Sequence, residues 1–409
     1  MPTWPARIAV VSILVAAALA APAAPATAKP PAGACLNAQP GGPPIRQQPW
    51  ADKALAPERA WPFSRGAKVL VAVIDSGVDY DHPQLLRHGK VLDGFDFIRN
   101  QPRADFDCVS HGTAVASIIA ADEAPGIGFH GVAPDARILP VRVSDTEPGD
   151  DRGGASVNPT VFAQAIRYAA DHGARVINLS VVMYADVPAV RRAVAYAQDK
   201  DVVVVAAVGN AHRDTGRDPT PYPAAYPGVL GVGAITIDGS RLPASQVGPY
   251  VDLVAPGGGV LAATREHGHV FWDGTSFATP FVSGAAALVR AAWPSLSAAG
   301  VARRLLATTS PARGGENSMA YGSGVVDPYR AVTDGLGGVR PAGAAPPLVR
   351  PGPDRAALRR AADAHRLGAS AGRLVLFAGL AVLGVLGVAA AAPRGRRRRW
   401  SASRAQLPE

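Results

Sequence analysis

The stretch AKVLVAVIDSGV, residues 67–78, decides the reading of this chain. From Val69 to Ile74 every side chain is apolar and most are β-branched, the pattern of a strand covered on both faces. The run stops at Asp75-Ser76-Gly77, a turn sequence. Working outward, ARILPVRV (136–143), ARVINLSV (174–181), VVVVAAVGN (202–210), VLGVGAIT (229–236) and VDLVAPG (251–257) repeat the same continuous apolar signature. Helical patterns separate them: HGTAVASIIAA (111–121), the amphipathic NPTVFAQAIRYAADHG (158–173) ending at Gly173, PAVRRAVAYAQDKD (188–201), and TSFATPFVSGAAALVRAAWP (275–294). Strand and helix alternate at βαβ spacing, which predicts an α/β fold with a parallel sheet flanked by helices on both faces. Ligands in such sheets bind beyond the carboxyl ends of the strands. Asp75 and Asn210 fall at such ends, and His111 and Ser276 at helix starts, so all four are expected at one edge.

The two ends carry different information. Arg7, the apolar run Ile8–Ala21 and the small-x-small site Ala26-Thr27-Ala28 predict a secretory signal peptide over 1–28. An uncleaved anchor is the alternative. Near the other end, Leu374–Ala392 is uncharged and long enough to cross a hydrocarbon core, so residues 373–393 are predicted to span the membrane. Arg394 and Arg396–Arg399 follow, and the basic segment 394–409 is expected to stay cytoplasmic with the bulk of the chain outside. The net charge of +9 is thereby largely explained, and nucleic-acid binding is not expected. Residues 336–372, rich in Pro, Ala, Gly and Arg, read as a linker, with a short helix expected at 354–368. The chain has two cysteines, Cys35 and Cys108. In an exported protein an even pair predicts a disulfide, with two free thiols the alternative.

Three segments carry chemistry: VIDSGVD with Asp75, SHGTAVAS with His111, and GTSFATP with Ser276. Each has a local explanation, as a turn cap, a helix cap and a packing serine. Together, one Asp, one His and one Ser flanked by small residues in a single α/β domain are not explained that way. These segments resemble the Asp, His and Ser signatures of the subtilisin-like serine peptidases, in the chain order known for that triad. The resemblance covers roughly residues 65–335. It implies that His111 takes the proton of Ser276 as the hydroxyl attacks a peptide carbonyl, and that Asp75 fixes the imidazole tautomer. It also implies an oxyanion hole from the Asn210 amide and the Ser276 backbone N–H. Substrate would lie between Ser180–Val181 and Ala207-Val208-Gly209. The family's glycine two residues after the Ser180 position is Val182 here, which reshapes the expected pocket.

Residues 29–64 are short for an independently folding pro-domain and are expected to wrap residues 65–335 as an extension. With QQPWADKALAPERAWPFSRG (47–66), DFDCVSHGTAVASIIAA (105–121), DGTSFATPFVSGAAALVRAAWP (273–294) and the arginine-tailed C-terminal helix, the chain resembles the mycosins. Those are membrane-anchored subtilisin-like proteases of type VII secretion. The resemblance implies a cell-membrane location, a protein or peptide substrate, processing of a secreted protein and association with the secretion membrane complex. Two other functions stay open: a structural stabiliser of that complex with proteolysis secondary, and a general surface-tethered protease. No cofactor or metal is expected. The acidic DTEPGDDRGG (145–154) lacks a calcium-loop pattern and reads as a solvated loop.

Overall fold

A computed structural model describes residues 30–31, 33–35, 38–146, 157–215, 217–315 and 318–336. The expected signal peptide, membrane span, basic tail and 354–368 helix, and most of the linker and of the acidic 145–154 loop, lie outside those residues. Among the described residues no helix is long and apolar enough to cross a membrane.

In chain order the elements are α1 (Trp50–Leu55), β1 (Leu70–Asp75), β2 (Phe95–Asp96), β3 (Gln101–Pro102), α2 (His111–Ala120), β4 (Arg137–Arg142), α3 (Pro159–Asp171), β5 (Val176–Leu179), α4 (Pro188–Asp199), β6 (Val203–Ala207), β7 (Leu230–Ile235), β8 (Leu253–Pro256), β9 (Val260–Ala263), β10 (His269–Trp272), α5 (Thr275–Ala292), α6 (Ala298–Ala307) and α7 (Pro328–Thr333). Eight strands form one sheet in the order β3-β2-β4-β1-β5-β6-β7-β8. All of its pairs are parallel except β2 with β3, an antiparallel edge. β9 and β10 make a separate antiparallel hairpin.

The continuous apolar strands are explained by the two cores. Val71 and Val73 of β1 face a cluster containing α2 and α5, while Ala72 and Ile74 face one containing α3 and α4. Alternate side chains of one strand therefore both need to be apolar. α5 is the central element: from Thr275 to Ala292 every described side chain except Ala291 is buried. Such a helix has no solvent face, which is why it holds six Ala and a single charged residue, Arg290.

The order of the sheet sets a switch point at β1. β1 is flanked by β4 on one side and β5 on the other, so the chain changes direction of growth at β1. In open α/β sheets ligands bind beyond the carboxyl ends of the strands at such a switch point.

The chain from Gln39 to Trp50 is tied to this body by backbone bonds. Gln39 N donates to Cys108 O (2.9 Å), Gly42 N to His267 O (3.0 Å), and His269 N to Pro43 O (3.0 Å). Trp50 Nε1 donates to Gly259 O at 2.9 Å. Cys35 and Cys108 form a disulfide with Cα atoms 5.3 Å apart.

Candidate active site

Asp75 is the last residue of β1 and is fully buried. The turn that follows brings Ser76 N back onto Asp75 Oδ1 at 2.7 Å. The same oxygen contacts His111 Nδ1, also at 2.7 Å. A buried carboxylate accepting from both groups fixes the ring orientation through Nδ1. His111 opens α2, and the close packing of that opening demands glycine next to it. A Cβ on Gly112 would stand 2.0 Å from Gly77 O and 3.1 Å from Asp75 Cβ.

Ser276 is the second residue of α5 and is 5% exposed. The His111 ring lies 5.1 Å from that of Phe277, the next residue, so the imidazole sits against the start of this helix. The local sequence explains how the serine is held. Pro280, four residues on, has no N–H to donate to the Ser276 carbonyl. Ser180 Oγ supplies the missing donor at 2.8 Å. In return Ser276 Oγ contacts Ser180 O at 3.3 Å. Behind Ser180 runs a buried relay: Asn178 Nδ2 donates to Ser180 Oγ (3.0 Å), and Ser283 Oγ donates to Asn178 Oδ1 (2.8 Å). The end of β5 is thus locked to the first turns of α5. Asn178 was visible in the sequence as a polar residue inside an apolar strand, a signal that the reading above did not use.

Asn210 stands three residues beyond β6. The strand stops at Ala207 rather than running to 210, because Gly209 adopts φ +90° and turns the chain. Thr275 N and Thr275 Oγ1 both contact Asn210 Oδ1, at 2.9 and 3.1 Å. With its oxygen so held, the amide nitrogen is the free end, 3.2 Å from where a Gly274 Cβ would be. Gly209 N also contacts Thr275 Oγ1 at 3.2 Å. Thr275 therefore orients both Asn210 and Gly209. Val181, Ala207 and Val208 are buried beside these groups, at the ends of β5 and β6.

A second carboxylate underlies the site. Asp107 is buried and accepts from Ser76 Oγ (3.0 Å), Val109 N (3.0 Å), Thr113 N (2.9 Å) and Thr113 Oγ1 (2.8 Å). Burial, helped by the neighbouring Asp75 charge, pushes its pKa up against the hydrogen bonds from Val109 and Thr113. It lies in the DFDCVSHGTAVASIIAA stretch (105–121), but its link to the Asp75 turn runs through Ser76, 31 positions away.

The geometry thus gathers the sequence-expected residues as two joined groups, Asp75 with His111 and Ser276 with Ser180, set against each other through Phe277. Asn210 is at the same helix start. A model of the subtilase family matches residues 66–324. The chain belongs to the subtilase family. Among its relatives, this subtilase is 35% identical to mycosin-1 of Mycobacterium tuberculosis over 75% of its own length and 79% of the relative's. It is 41% identical to a thermophilic serine proteinase of Bacillus sp., across 56% of its own length and 54% of that protein's. Its fold matches the structure of MycP1, described as a serine protease and an essential component of the type VII (ESX-1) secretion system. That match has a TM-score of 0.62 at 33% identity and covers 74% of this subtilase and 96% of MycP1. The resemblance to mycosins read from the motifs is therefore borne out.

Proposed function

We propose that this subtilase is a serine endopeptidase in which Ser276 is the nucleophile, His111 the general base and then acid, and Asp75 the group that orients and charges the imidazole. The observation that carries the reading is the 2.7 Å contact of buried Asp75 with His111 Nδ1 beside the helix that begins at Ser276. Attack on a peptide carbonyl forms the Ser276 Oγ–carbon bond and passes the hydroxyl proton to His111 Nε2. The imidazolium returns that proton to the leaving amine, and water repeats the cycle on the acyl-enzyme. Asn210 Nδ2 and the Ser276 N–H stabilise the oxyanion, assisted by the positive end of α5. Peptide runs between Ser180–Val181 and Ala207–Gly209.

We further assign the chain to the outer side of a cell membrane, held by residues 373–393 after removal of 1–28, acting on a secreted protein within a type VII secretion complex. The Arg-flanked apolar segment, the leader pattern and the similarity to mycosins over most of the chain support this. The test compares cells carrying the wild-type chain with cells carrying Ser276→Ala, mapping new N-termini in co-secreted proteins by mass spectrometry. A terminus present only with the wild-type chain supports the reading. Identical termini in both strains, with secretion intact, contradict it.

A further inference from the structure

Every donor to the Asp107 side chain belongs to the turns that carry Asp75 and His111. One oxygen holds Ser76 Oγ and Val109 N, and the other holds Thr113 N and Thr113 Oγ1. Because the Ser76 hydroxyl gives its proton to Asp107, its lone pair is turned toward Gly112 N, 2.9 Å away. Ser76 N is meanwhile bonded to Asp75 Oδ1. One buried carboxylate therefore clamps the end of β1 onto the first turn of α2. Two backbone amides that can only donate, one on each oxygen, and two hydroxyls turned the same way suit the ionised form.

The charged groups facing this cluster come from several elements. Asp75 and Asp79 belong to β1 and the turn after it, Arg142 to the end of β4, and Arg265 to the turn between β9 and β10. Arg265 Nε donates to the Asp107 carbonyl, and Arg142 Nε to the Ser76 carbonyl. The guanidinium of Arg142 is itself paired with Asp96 and Asp145. Asp107 thus adds a negative charge behind the Asp75–His111 pair that its neighbours only partly offset.

We propose that Asp107 is a positioning residue for the peptidase reaction: through Ser76, Gly112 and Thr113 it fixes the distance between Asp75 and His111, and its charge favours the imidazolium. The inference rests on the triad reading above. Removing the charge lowers the pH at which His111 becomes protonated, so the acid limb of the rate profile moves to lower pH.

The test measures the second-order rate of inactivation of the full-length protein in detergent by a biotinylated fluorophosphonate, from pH 5 to 9. Asp107→Asn is expected to slow labelling about tenfold to a hundredfold at pH 8 and to move the acid limb down by roughly half a unit to one unit. Ser76→Ala keeps the charge and breaks the clamp. It is expected to slow labelling about tenfold with the limb unmoved. An unchanged rate in either variant overturns the proposal, as does a slower Asp107→Asn whose limb stays in place. If Asp107→Asn does not fold, by circular dichroism, the Ser76→Ala rate decides alone. Labelling that survives Ser276→Ala removes the triad reading itself. Labelling abolished by Ser276→Ala but unaltered by Asp107→Asn removes only this inference.

Discussion

The first turn of α2 offers the sharpest test of how packing sets catalysis. Replacing Gly112 by Ala adds one methyl group, which would stand 2.0 Å from Gly77 O. A carbon and a carbonyl oxygen do not approach much closer than about 3.2 Å, so more than ~1 Å of movement is needed. Little can yield on the Gly77 side. That residue has φ +106°, and its own Cβ position lies 2.0 Å from Phe106 O. The start of α2 must move instead, taking His111 away from Asp75. A displacement of about 1 Å from the productive geometry costs roughly 10²-fold in rate. The expected result is a fall of that size in fluorophosphonate labelling and in casein hydrolysis, with the far-ultraviolet circular dichroism retained. Gly173→Ala is the control, since no atom lies within 4 Å of its Cβ position and its strain at φ +82° is remote from the site. Gly112→Ala retaining more than a third of the wild-type rate refutes the claim that this contact holds the imidazole in place.

Other outcomes follow from the same structure. On the proposed oxyanion role, Asn210→Ala is expected to lower kcat about 10²–10³-fold with little change in KM, measured on a peptide substrate. Replacing both Cys35 and Cys108 by Ser opens a loop of 73 residues, worth about 4 kcal/mol in the chain-entropy model. Differential scanning calorimetry should then show a melting temperature lower by about 7 °C. His82 and His269 are both held down to about 4 by burial, from 6.5. Each is neutral in the fold: His82 Nδ1 accepts from Gln84 N and His269 Nδ1 from Ile45 N. Their contribution is whole above pH 6.5 and is lost as pH falls toward 4, up to roughly 3 kcal/mol apiece. Urea midpoints should drop across that window, and His269→Gln should flatten the slope.

Much of the fold was legible because buried parallel strands and α5 have no polar face to confuse the pattern. The strand boundaries were less so. The sheet starts at Leu70 rather than Ala67, since Lys68 sits at φ +66°, and it ends at Asp75, just before Gly77 turns at φ +106°. The two-residue strands β2 and β3 are too short for any period to show, and β9–β10 is a hairpin whose second strand is partly exposed. α6 and α7, beyond Pro294, were not anticipated either. Helix α5 ends at Ala292, two residues earlier than expected, ahead of that proline.

At the site the motif residues stood out because small neighbours flank them. Their supports did not, because each needs at least one partner far away in sequence. Asp107 meets Ser76 across 31 positions, Asn178 meets Ser283 across 105, and Asn210 meets Thr275 across 65. Thr275 was read only as a neighbour of the serine, and its hold on Asn210 emerges from the fold.

The central claim is that Asp75 and His111 activate Ser276. Mass spectrometry of the full-length protein after fluorophosphonate treatment tests it directly. The account predicts a single adduct on the peptide containing Ser276, absent after His111→Ala and slowed at least a hundredfold by Asp75→Asn. An adduct on another serine, or equal labelling of Ser276 in the His111→Ala protein, contradicts it.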